Sequence, residues 1–112
     1  MRLRKLVPLG LCALTSACAT QAEMRQGGPV YRQHVNMSVT GARDCVTDNW
    51  SGGLYGRSVT PYRDGFRISN AGGHVYAFVE VQPAPGGGTE IAAYGHPSRY
   101  AVSIVKLCAG GT

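Results

Sequence analysis

From Ser38 to the C-terminal glycines the apolar residues change period twice, and that order restricts the fold more than any single motif. Ala42, Cys45, Val46 and Trp50 fall on one helical stripe, with Arg43, Asp44, Thr47 and Asp48 elsewhere, until Gly52-Gly53 stops the pattern. Four strand-like stretches follow. Ser58–Tyr62 contains Pro61, which suits a sheet edge because proline lacks the N–H that a central strand must donate. Phe66 and Ile68 alternate with Arg67 and Ser69 after an Asp64-Gly65 turn signal. His74–Gln82 is the longest stretch, with Val75, Ala77, Val79 and Val81 on one face, and Thr89–Tyr94 places Ile91 and Ala93 together. Between these two, Pro83-Ala84-Pro85-Gly86-Gly87-Gly88 leads into a strand and not into a helix N-terminus, so it reads as a hairpin loop and not as a phosphate cradle. Pro97 and Ser98 then open a second helix, in which Ala101, Ile104, Val105 and Cys108 recur at helical spacing before Ala109-Gly110-Gly111 ends it.

The order is therefore α-β-β-β-β-α, and neighbouring strands are expected to pair antiparallel. Each helix has one apolar stripe to bury. The expected fold is a two-layer α+β domain, a four-stranded antiparallel sheet with both helices on one face.

The first residues carry a different message. Met1-Arg2-Leu3-Arg4-Lys5 is basic, Leu6 to Leu14 is apolar, and Thr15-Ser16-Ala17 is small, which is the three-part layout of a secretory signal peptide over residues 1–17. The apolar run reaches only about half of the ~20 residues that a helix needs to cross a bilayer. Export also changes the reading of charge. The chain has a formal net charge of +5, but from Cys18 onward eight basic residues stand against six acidic ones. The mature protein is nearly balanced and lacks a basic cluster with interleaved aromatics, so nucleic acid is not an expected partner.

Leu14-Thr15-Ser16-Ala17-Cys18 resembles the lipobox of bacterial lipoproteins, in which small residues precede a cysteine that takes a diacylglyceryl group and becomes the new N-terminus. The resemblance implies a lipid anchor on Cys18, with Thr20 in place of an inner-membrane retention aspartate and hence the periplasmic face of the outer membrane as the address. Ala17-Cys18-Ala19 also fits an A-x-A site, and cleavage after Ala19 would instead release a soluble protein. Taken whole, the chain resembles the small bacterial lipoproteins built of one helix–sheet–helix domain with a single disulfide, a resemblance that implies no activity.

Ala19 to Met37 is polar and broken by Gly27-Gly28-Pro29, so residues 18–37 are expected to form a flexible tether. Val30 to Val35 is an option for an added strand or staple, with the domain itself expected over 38–112. Cys45 and Cys108 lie on the core-facing stripes of the two helices. In an oxidising compartment they are expected to join, closing a loop of 63 residues and stabilising a small domain by on the order of 4 kcal/mol.

Catalytic signatures are weak. His34, His74 and His96 share no metal-ligand spacing, so neither a metal nor another cofactor is expected. Asp44 and Asp48 lie one helical turn apart, Glu80 and Glu90 are expected across a hairpin, and Asn49-Trp50-Ser51-Gly52-Gly53 is not a nucleophile elbow. A small enzyme using Asp44, Asp48 or His74 is the least favoured class. The face of the long strand opposite its valines carries Tyr76 and Phe78, joined by Tyr94 from the next strand. Aromatic residues on an open sheet face make a candidate binding surface, unless they serve only as cross-strand pairs or are covered by the Val30 to Val35 segment. The expected function is a non-enzymatic, membrane-tethered module that binds an envelope protein or a cell-wall component. A soluble periplasmic inhibitor or immunity-type protein is the alternative.

Overall fold

A computed structural model describes residues 22–51, 56–72, 77–95 and 98–110. Cys18, the signal segment before it, His74, Val75, Tyr76, His96 and Pro97 lie outside the described residues. The class is the expected one: a single antiparallel sheet with two long helices on one face.

The first of these, α1 (Val39–Asn49), begins where its sequence supplies a cap. The Ser38 side chain accepts a hydrogen bond from the Gly41 N–H at 3.0 Å, occupying one of the amide donors that a helix start leaves unpaired. Ala42 and Val46 are fully buried, and Trp50, just past the end, is 2 % exposed. The Trp50 indole donates to Asn70 Oδ1 at 3.1 Å, and its ring meets the Tyr100 ring edge-on at 5.1 Å. The last helix, α2 (Arg99–Gly110), buries Ala101, Ile104, Val105 and Cys108, the stripe read from its spacing. Where the two helices meet, Cys45 and Cys108 are disulfide-bonded with their Cα atoms 5.9 Å apart.

Five strands form the sheet, one more than expected: β1 (Tyr31–Val35), β2 (Arg57–Tyr62), β3 (Gly65–Asn70), β4 (Ala77–Pro83) and β5 (Thr89–Gly95). Their spatial order is β1-β5-β4-β3-β2, with every neighbouring pair antiparallel. Strands β2 to β5 run as a meander. The added strand pairs with β5 from Tyr31↔Ala93 to Val35↔Thr89, so the part of the expected tether from Tyr31 to Val35 is an edge of the sheet. The reason lies in β5, which is buried from Ile91 to Gly95 and whose outer N–H and C=O groups would otherwise lack partners. Of the five β1 residues only Val35 is buried. Backbone pairing holds the strand, and its side chains show almost no alternation.

Because β1 and β2 occupy opposite edges, the chain must cross the sheet between them, and α1 makes that crossing over β3 and β4. Helix α2 lies over β5 and β1. Val79, Val81, Ile91, Ala93 and Ile68 point up into the helices and are fully buried. The buried Thr89 hydroxyl donates to the Met37 carbonyl at 2.8 Å and ties the start of β5 to the link between β1 and α1.

The turns differ in one detail from the sequence reading. Tyr62 pairs with Gly65, so the β2–β3 turn is Arg63-Asp64, with Arg63 at φ 53, and Gly65 already belongs to the strand. Glycine is required there for another reason: a Cβ would collide with the Val81 carbonyl. The β4–β5 connection uses its glycines as a hairpin loop, with Gly86, Gly87 and Gly88 all at positive φ.

Candidate functional site

On the sheet face away from the two helices, opposite charges stand side by side in the middle of adjacent strands. Arg67 of β3 pairs with Glu80 of β4, flanked in sequence by Phe66 and Ile68 on one strand and by Val79 and Val81 on the other. The pleat alternates, so the apolar neighbours face the helices while Arg67 and Glu80 share the opposite face. Arg67 donates to Glu80 Oε2 from Nε at 3.1 Å and from Nη2 at 2.7 Å. Its guanidinium lies 4.0 Å from the Tyr62 ring centroid and 4.5 Å from that of Phe78, sandwiched between the two.

The aromatic residues continue across the sheet. Phe78 is the direct cross-strand partner of Tyr94, and their rings stack at 5.0 Å with an interplanar angle of 11°. Both were candidates for an open binding face, and here the structure corrects the expectation. Phe78 is 0 % exposed and Tyr94 is 7 % exposed. They stack on each other, the Arg67 guanidinium lies over Phe78, and Met24, in the helical residues 22–26, packs on the cluster of Phe78, Ala92 and Tyr94. The supposed tether is thus seated on the sheet at both 22–26 and 31–35. Tyr76, the third candidate, is outside the described residues.

Arg25 completes the cluster. Its Nε donates to the same Glu80 Oε2 at 3.1 Å, and its guanidinium lies 5.2 Å from the Tyr62 centroid and 5.9 Å from that of Tyr94. Glu80 is 2 % exposed, whereas Arg67 and Arg25 are 17 % and 26 % exposed, so the carboxylate is sealed beneath two cations that reach it from the rim. Burial works to lower the Arg25 pKa, but the hydrogen bond and Coulomb attraction of Glu80 outweigh it and hold the group above its ordinary value. Burial first, and the Glu80 charge second, push the Tyr94 phenol upward.

The energetic roles of the two arginines differ. Breaking a buried ion pair by removing one partner costs roughly 3–5 kcal/mol, and the Arg67–Glu80 pair is of this kind. Arg25 is more exposed and is one of two cations on the same oxygen, so its ion pair and ring contacts together contribute about 1 kcal/mol.

Glu90, expected opposite Glu80, instead pairs with Gln82 on β4 and with His34 on β1, and its carboxylate lies 3.7 Å from Arg32 at the exposed edge. The like charges are two residues out of register, which weakens the repulsion a direct pair would suffer. His34 bonds the Gly87 carbonyl at 2.9 Å. Asp44 and Asp48 are exposed on α1, where Asp44 pairs with its neighbour Arg43 at 2.9 Å. Among the described residues, no three His, Cys, Asp or Glu side chains converge as metal ligands, and no helix is long and apolar enough to cross a membrane.

Sequence reasoning missed the Arg67–Glu80 pair, although a signal existed: single opposite charges embedded in neighbouring apolar strands. Arg25 had none, since 55 residues separate it from Glu80. No family model, no curated protein and no solved structure matches the chain.

Proposed function

We propose that this is an exported lipoprotein of the bacterial envelope, anchored through Cys18, which binds an envelope protein or a cell-wall component and is not an enzyme. The observation that carries the reading is the Cys45–Cys108 bond between α1 and α2, because such bonds persist in oxidising compartments and are rare in the cytosol. It accords with the export-type start of the chain and with the lipobox resemblance at Cys18. Seven residues lead from Cys18 to Arg25, an extended reach of at most about 25 Å. An anchor at Cys18 therefore keeps the sheet face close to the bilayer.

The site chemistry favours binding over turnover. A carboxylate active in proton transfer must reach a substrate proton. Glu80 Oε2 already accepts three N–H groups from two arginines, an arrangement that holds charge in place. Asp44 and Asp48 lie exposed on the surface of α1.

The mature N-terminus tests the anchor. Intact mass of the protein from the membrane fraction should show diacylglyceryl and acyl additions on Cys18, and Cys18→Ser should move the protein to the soluble fraction. An unmodified chain starting at Thr20 would establish the second reading, a soluble periplasmic inhibitor or immunity-type protein, which the Ala17-Cys18-Ala19 pattern favours.

A further inference from the structure

We propose that the notch formed by Glu80, Tyr62 and Tyr94 is a guanidinium-binding site, filled in the free protein by the chain's own Arg25 and taken over by an arginine that a partner protein presents. The inference rests on the binding role proposed above and gives it a place in the fold; it is independent of the lipid.

The receiving groups all belong to the sheet, on β2, β4 and β5, whereas the occupant comes from a segment outside it. Glu80 keeps its two bonds to Arg67 when Arg25 leaves, so the site does not depend on its occupant for shape or for a counter-charge. The contacts suit a planar cation. Arg25 donates in its plane to the carboxylate at 3.1 Å while presenting its face to two tyrosine rings, which a guanidinium does and a compact ammonium does less well.

The occupant is held lightly. The helical segment of residues 22–26 meets the sheet through few side chains among the described residues. Its footing is Met24, half-buried, and Arg25, 26 % exposed. It joins β1 through Gly27-Gly28-Pro29, where Gly28 sits at φ 84, a backbone conformation that favours glycine and gives the connection a hinge residue. Lifting it uncovers the Phe78–Tyr94 stack together with the notch. A partner arginine thus gains an apolar floor beside the carboxylate.

A second copy of the chain is a poor occupant. The short connection returns each segment over its own sheet, at an effective concentration in the millimolar range, well above that of another molecule. A partner that also covers the aromatic stack has contacts with which to compete.

The test uses the full-length chain purified in detergent and a fluorescent synthetic peptide of residues 19–30, made with arginine, lysine or citrulline at the position of Arg25. Citrulline keeps the shape and removes the charge. Since the apparent affinity falls with the fraction of sites open, Arg25→Ala should bind the arginine peptide at least ~10-fold more tightly than the wild-type chain does. The lysine peptide should bind more weakly and the citrulline peptide not measurably. Near-ultraviolet circular dichroism and the intact Cys45–Cys108 bond report that the variant is folded. Met24→Ser, which leaves Arg25 in place and loosens its segment, should shift affinity in the same direction and serves if Arg25→Ala does not fold. Equal binding of the arginine and citrulline peptides, or equal binding by wild type and both variants, would overturn the site. A concentration-dependent wild-type dimer that Arg25→Ala abolishes would overturn the partner in favour of a second copy. The mass of the mature N-terminus is unaffected by these outcomes, so failure of the site and failure of the anchor are read separately.

Discussion

The two arginines that share Glu80 Oε2 give the residue scale its clearest contrast. Arg67 is clamped between two rings and bonds a buried carboxylate twice, whereas Arg25 sits at the rim. Arg67→Met should therefore cost about 3 kcal/mol of unfolding free energy, read from urea midpoints, because it strips a buried charge of its main partner. Arg25→Ala should cost about 1 kcal/mol or less. Tyr94 predicts a pH dependence. Burial, then the Glu80 charge, raise its pKa above the ordinary 10.0, so the folded protein holds the phenolic proton more tightly than the unfolded chain. This contribution is complete below the ordinary value and is lost as pH rises through the raised folded one. Urea midpoints should fall as pH rises from the ordinary value to the raised one, and Tyr94→Phe should flatten the fall. The Arg67–Glu80 pair was legible in the sequence as two misplaced charges. That they share a face was legible only if the strand register was known.

Between elements, the disulfide is the strongest single constraint. It links α1, which crosses the sheet from one edge strand toward the other, to α2, which lies over the opposite half. Replacing both cysteines with alanine should lower stability by about 4 kcal/mol by chain-entropy reasoning, measured under identical denaturant conditions. The same loss should appear on reduction of the wild type. Both helices were legible because each carries a stripe of apolar residues at helical spacing. Strand β1 was not. Tyr31-Arg32-Gln33-His34-Val35 lies at an edge with its middle three side chains in water, and its reason for being a strand is the backbone of β5.

For the whole molecule, the boundary of the domain becomes testable by truncation. Starting the chain after Gly28 removes the Met24 and Arg25 contacts, and should leave a cooperative fold weakened by about 1–2 kcal/mol. Starting it after Asn36 takes away β1 and leaves the buried strand β5 with an uncovered edge. That shorter form should lose cooperative thermal unfolding altogether, since unpaired backbone groups beside an exposed core are costly and invite aggregation.

By itself, the sequence determined the elements whose side chains are divided between core and water: two striped helices, four strands, and a cysteine on each helix facing the same interior. These signals are local, because burial of one face prints its period on the residues of that segment. Tertiary structure alone decided what covers the second face of the sheet. Phe78 and Tyr94 alternate correctly for an outward surface, and they are buried by their own stacking, by Arg67 over Phe78 and by Met24, more than fifty residues upstream. Met24 and Arg25 print no period, for they work through one apolar contact and one ion pair across the fold. A contact of that kind leaves no mark on the sequence around it.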